Sequence, residues 1–140
     1  MQSSVPCPSS PEENGLEQPW SPKVTWCNPP YGRGIADWIS KAWIEGGKGC
    51  VVVLVPPSID TIWWHKYALF ANEIRFIKGR IRFIDPLGKP SGSQTQGSAL
   101  LIFRGKRPRN YPMVTWWDPK TCMIIGVPDR EWVIDEITTH

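Results

Sequence analysis

Asn28, Pro29, Pro30 and Tyr31 stand in a row between a strand-like run over 23–27 and a helical pattern that begins at Ile35. Neither flanking element can continue through two prolines, because proline donates no backbone hydrogen bond. The prolines can instead hold two acceptors at a fixed separation, the Asn28 side-chain oxygen and the Pro29 carbonyl. Locked φ angles leave that mount little entropy to lose. A conjugated amine is a poor nucleophile because its lone pair is delocalised. Two acceptors taking its two N–H groups would draw the nitrogen towards a tetrahedral geometry and free the pair for in-line attack on a methyl donor. Tyr31 adds a ring face on which a base can stack. The residues do not choose the amine: adenine's exocyclic nitrogen, a guanine N2 and a glutamine amide all fit. A turn that merely ends a strand would use the same residue types, and the strand before it and the helix after it are what favour a site.

Charge supplies the second candidate. The net charge of +3, from 16 basic and 13 acidic residues, is too small to indicate a polyanion partner by itself. Its distribution says more, since 75–109 carries nine Lys or Arg against one acid, Asp85. Arg75, Lys78, Arg80 and Arg82 are therefore candidate contacts to a nucleic-acid backbone, against the simpler alternative of a solvated basic face. Metal chemistry is not expected. The four cysteines (Cys7, Cys27, Cys50, Cys122) make no CxxC pair, and His65 and His140 are the only histidines. Cys27 and Cys50 lie in apolar runs and read as buried free thiols of a reducing compartment. His65 sits in an aromatic stretch and reads as a packing or capping residue. No apolar run approaches the ~20 residues of a membrane span, so a soluble protein is expected.

The elements that must position these residues follow from periodicity. Residues 1–20 are rich in Ser, Pro, Glu and Gln and read as a mobile arm. "KVTWC" is a short strand that ends at the Asn-Pro-Pro break. Ile35, Trp38, Ile39, Ala42 and Trp43 share one helical face until Gly46 and Gly47 stop it, and Asp37 and Lys41 are spaced to pair. "CVVVLV" has no alternation, the pattern of a strand covered by helices on both faces. After Pro56 and Pro57, "SIDTIWWHKYALFANE" reads as a second helix, with Ser58 or Asp60 as N-cap and Trp63 and Trp64 in the core. "IRFIKGRIRFI" reads as two short strands about Lys78-Gly79, 85–97 as a loop, and "SALLIF" as another buried strand. "TCMIIGV" is a candidate strand, and "EWVIDEI" has no clear pattern. The order is α/β, with a mostly parallel sheet and an antiparallel edge. The division expected is an arm over 1–20, an α/β domain over 21–104 and an extension over 105–140. Ligands of such sheets gather beyond the carboxyl ends of the strands, where Asn28–Tyr31 and Pro56-Pro57 both fall.

Together these stretches resemble a known family. "NGLEQPW", "VTWCNPPYG", "WISKAW", "VVVLVPPSIDTIWWH", "EIRFIKGRIRF" and "GSALLIF", spanning Asn14 to Phe103, are similar to the phage-type, Dam-like DNA N6-adenine methyltransferases. The resemblance implies a Rossmann-like class I methyltransferase fold, S-adenosylmethionine as methyl donor and adenine in double-stranded DNA as acceptor. Asn28, Pro29, Pro30 and Tyr31 would be its catalytic element, with Arg75, Lys78, Arg80 and Arg82 on the DNA and no metal. Only thirteen residues precede Asn14, and they hold neither a GxG turn after a strand nor an acid placed for ribose hydroxyls. The expectation is thus the carboxyl half of the fold, with donor-binding strands missing, donor contacts unassigned and a second chain as one source of the donor half. The resemblance also implies the cytoplasm of a bacterial host. Two alternatives stand beside this reading: a catalytically inactive DNA-binding remnant, and a methyltransferase acting on RNA or a protein glutamine.

Overall fold

The computed structural model describes residues 5–6, 15–20, 24–84, 87–91, 96–105 and 112–125. Nine strands are present among them: β1 (Val5–Pro6), β2 (Val24–Cys27), β3 (Cys50–Val55), β4 (Glu73–Ile77), β5 (Phe83–Ile84), β6 (Pro90–Ser91), β7 (Ala99–Arg104), β8 (Met113–Asp118) and β9 (Met123–Ile125). Seven form one mixed sheet in the order β1-β2-β3-β7-β4-β8-β9, with β1 only a two-residue strand. β1, β2, β3, β4 and β8 run one way, and β7 and β9 run the other. The architecture is α/β with most strands co-directional, and the expected antiparallel edge is β9. A second antiparallel strand, β7, lies inside the sheet between β3 and β4. Strand direction leaves no mark on a run such as "SALLIF", which is apolar throughout wherever it is buried on both faces.

Helix α1 (Ile35–Gly46) links β2 to β3 and ends at Gly47, as its spacing predicts. Its buried Ile35, Trp38, Ile39 and Ala42 pack on Val51, Val53, Val55, Leu101 and Phe103 of one sheet face. Each such side chain taken from water contributes roughly 1.5–3 kcal/mol. The pairing within α1 is Lys41 with Glu45 (3.6 Å).

The second helix is shorter than the sequence suggests. α2 covers Ile62–Lys66 only and is followed by a 3-10 turn, Ala68–Phe70. Its N-cap is neither Ser58 nor Asp60 but Thr61, whose Oγ1 accepts from Trp64 N (3.4 Å) and donates to Ser58 O (2.6 Å). Trp64 is buried and Trp63 packs against the same core.

Both helices pack into that single core, so the expectation of helices on both faces of β3 is corrected. The opposite face holds a smaller cluster, Leu54, Ile77 and Leu100, covered by Ile81, Phe83 and Trp117. β5 and β6 form a separate two-stranded ribbon there, so part of 85–97 is paired and β4 and β5 do not pair with each other.

Two expected divisions also shift. Within the supposed arm, Trp20 is buried, stacks on Trp38 at 6.3 Å and donates from Nε1 to Gly15 O (3.0 Å). Beyond residue 104, β8 pairs with β4 and β9 with β8, which extends the same sheet. "EWVIDEI" and Cys7 lie outside the described residues.

Candidate active site

The parallel register brings the chemistry together. Cys27 stands opposite Val53, so the chain leaves β2 at Asn28 beside the last residues of β3. Pro29 is buried and Pro30 exposed, which seats the turn on one proline and leaves the other at the surface. Asn28 is exposed, and among the described residues its side chain has no hydrogen-bond partner, so its oxygen is available to accept. Tyr31 is 46% exposed, and its hydroxyl donates to the Leu54 carbonyl at 3.5 Å. That bond ties the ring to β3 while leaving a face open to solvent. Burial of the hydroxyl end raises the phenol's pKa, so the ring stays neutral at physiological pH. Gly32 follows with φ +125°, a backbone conformation that favours glycine, and turns the chain into α1 through Gly34.

The same edge collects other loops. Antiparallel pairing of Val55 with Ala99 puts Gln96, Gly97 and Ser98 next to Pro56 and Pro57. Ile77 N donates to Ser98 O (3.0 Å), so β4 also ends here and delivers Lys78, Gly79, Arg80 and Arg82. The strand that ends at Asn28 and the strand that delivers Arg80 are three strand spacings apart, about 14 Å.

The predicted basic set is divided by this topology. Lys78, Arg80 and Arg82 are exposed beyond the carboxyl end of β4, on the same edge of the sheet as the Asn-Pro-Pro-Tyr turn but three strands away. Lys78 lies 3.7 Å from Asp118, while Arg80 and Arg82 have no ion pair among the described residues. Arg75 is placed differently, within β4, with its Nε donating to Glu73 Oε2 at 2.6 Å. Thr115 Oγ1 donates to the same oxygen (2.8 Å), and Arg104 Nη2 lies 3.7 Å from Oε1. Burial pushes the Glu73 carboxyl up, but the hydrogen bonds from Arg75 and Thr115 and the charges of Arg75 and Arg104 outweigh it, so its pKa falls. This network lies towards the amino ends of β4 and β8, away from Asn28.

Arg33 was missed by the sequence reading. It is exposed two residues after Tyr31, between Gly32 and Gly34, and has no ion pair among the described residues. Its signal was the Gly-Arg-Gly spacing, which holds a cation in a turn directly after the site. His65 hydrogen-bonds the Ile59 carbonyl (2.8 Å), a local structural contact. Burial raises the Cys50 thiol's pKa, with Arg104 pulling it down less, so it is no ready nucleophile. Among the described residues no group of His, Cys, Asp and Glu is arranged to hold a metal, and no helix is long and apolar enough to cross a membrane.

A family model described as DNA N-6-adenine-methyltransferase (Dam) matches residues 4–122. No curated protein matches the chain. The matched stretch contains the Asn28–Tyr31 turn and six of the sheet's seven strands, all but β9. The chain belongs to the Dam DNA N-6-adenine-methyltransferase family.

Proposed function

We propose that this chain forms the acceptor side of a DNA N6-adenine methyltransferase, with Asn28-Pro29-Pro30-Tyr31 as the catalytic element and S-adenosylmethionine as the methyl source. The observation that supports this most is the exposed, unpartnered Asn28 beside the half-exposed Tyr31 ring, inside a stretch that matches the family. An adenine reaching them must leave the duplex stack, at a cost of a few kcal/mol. Tyr31 recovers part of that by stacking, and its hydroxyl, held by Leu54 O, fixes the ring's tilt. Asn28 Oδ1 and the Pro29 carbonyl accept the two amine N–H groups and turn the nitrogen lone pair outward. After transfer, the tetrahedral ammonium loses one proton to solvent, and no strong base is needed.

S-adenosylmethionine supplies an electrophilic methyl group when bound. Of the described carboxylates, Glu45, Glu73 and Asp118 are in ion pairs, while Glu17, Asp37 and Asp60 are in none. The residues that would hold the donor's ribose hydroxyls are left unassigned, and a second chain is one source of them. The exposed Lys78, Arg80 and Arg82 also fit a second reading, a DNA-binding chain with no catalysis of its own. Calorimetric titration with S-adenosylmethionine, paired with methyl transfer to adenine-containing duplex, separates the two. Heat of binding and labelled adenine support the enzyme, and neither signal would leave only the DNA-binding reading. We place the protein in the cytoplasm of a bacterial host, where its thiols stay reduced.

A further inference from the structure

Next to the Asn28–Tyr31 turn is a cleft of ≈ 330 Å³ lined by Pro57, Ser58, Asp60, Arg80, Gln96 and Gly97. We propose that this cleft reads one nucleobase of the substrate near the target adenine, with Arg80 donating to the base's acceptors and Asp60 accepting from its N–H groups. The proposal rests on the DNA reading given above.

Arg80 is seated by its neighbour. A Cβ on Gly97 would lie 3.1 Å from Arg80 Nη1, so a residue without a side chain gives the guanidinium its place. Charge then decides the ligand class. A phosphate presents acceptors only, and the Asp60 carboxylate on the same cleft would repel it. A base edge presents donors and acceptors side by side, which is what a guanidinium and a carboxylate across one cavity complement. The Ser58 hydroxyl and Gln96 amide can each donate and accept, which adds to the match. The volume is at the small end of the roughly 300–1,000 Å³ of ligand sites, room for one ring system rather than a longer stretch of strand.

Position agrees with this. Pro57 follows the strand next to the one bearing Asn28, and Gly97 precedes the strand beyond it. Across the sheet the cleft is therefore displaced from Asn28 by one to three strand spacings, about 5–14 Å, a span of a few base pairs at about 3.4 Å each. Arg82, by contrast, does not line the cleft and is exposed on the same edge, where a backbone phosphate can reach it.

The test is selection from a duplex pool with randomised bases around one adenine, followed by affinities for single-base variants at several salt concentrations. The wild-type chain should prefer one base at one position. Arg80→Lys and Asp60→Asn should each cut that preference by roughly 5- to 100-fold, the size of one bidentate base contact, with preferences elsewhere kept. Gly97→Ala should weaken the same position by displacing the guanidinium. Asp60 and Arg80 are exposed, so circular dichroism should show unchanged folding. Unchanged base preference in both variants, with Arg80→Gln lowering the salt slope by about one, would make Arg80 a phosphate contact and overturn the assignment. A wild-type chain that binds no duplex would overturn the DNA reading itself, a different failure.

Discussion

In the proposed mechanism Asn28 would polarise an amine only through its carbonyl oxygen, so the shape of its side chain would matter less than the acceptor it carries. Asn28→Ala should abolish methyl transfer, a loss of at least ~100-fold, while duplex affinity measured by anisotropy stays within about twofold. Unchanged turnover would remove the catalytic assignment. Tyr31→Phe keeps the stacking face and loses only the long bond to Leu54 O, so it should cost little; Tyr31→Ala should lose about 1–3 kcal/mol of base binding. Glu73 is buried, and its titration is coupled to folding. Its pKa is lower in the folded protein than in the unfolded chain, so the stability it contributes is complete above its unfolded value, about 4.3, and disappears as pH falls through the folded one. Glu73→Gln leaves the Arg75 guanidinium without its charge partner and should cost about 3 kcal/mol at pH 7. The same variant should show a flatter loss of stability between pH 5 and 3 than wild type, and urea melts across that range would report it (roughly the window of carboxylate titration).

Among the elements, α1 meets the sheet closest at its carboxyl end. A Cβ on Gly46 would overlap Phe103 Cβ and lie 2.9 Å from the Phe103 carbonyl oxygen. Phe103 is fully packed in the core and cannot yield, so Gly46→Ala should destabilise by about 1–3 kcal/mol in denaturant melts, although alanine is the better helix former. A neutral or stabilising result would mean that the helix end can lift off β7. This glycine shows where sequence reading stops: Gly46 reads as a helix terminator, and only the fold shows it as a contact. The rest of α1 was legible because its apolar residues repeat at 3.6, and β2 and β3 because the Asn-Pro-Pro and Pro-Pro breaks end them. The second helix was not, because Trp63, Trp64, Tyr67 and Phe70 suit a helix face as well as they suit a capped turn and a 3-10 segment. Nor was the sheet order, since β7 enters between β3 and β4 through pairings that run from 23 positions apart (Phe76 with Ala99) to 54 (Cys50 with Arg104). The candidate Asn28–Tyr31 turn was readable because its residues are contiguous; the Arg80 cleft was hidden because its residues come from three separate loops.

At the scale of the molecule, the fold sorts the basic residues that the sequence presents as one block. Lys78, Arg80 and Arg82 come out at the carboxyl edge, joined there by Arg33 from outside the block, while Arg75 and Arg104 turn to Glu73. A duplex docked on the carboxyl edge would then release counterions through the first group only, with Arg80 set aside for the base contact proposed above. Each phosphate neutralised adds about 0.9 to the slope of log affinity against log salt. Arg82→Gln and Arg33→Gln should each lower that slope by about one, with affinity falling alike for all sequences. Arg75→Gln should leave the slope unchanged and appear instead as lost stability in a urea melt, because its guanidinium is held by Glu73 rather than presented to solvent. If Arg75→Gln lowers the slope as much as Arg82→Gln does, the duplex lies across the open sheet face instead of the carboxyl edge. Asn28 would then face away from the DNA, and the acceptor-side assignment would have to be rebuilt around a different surface.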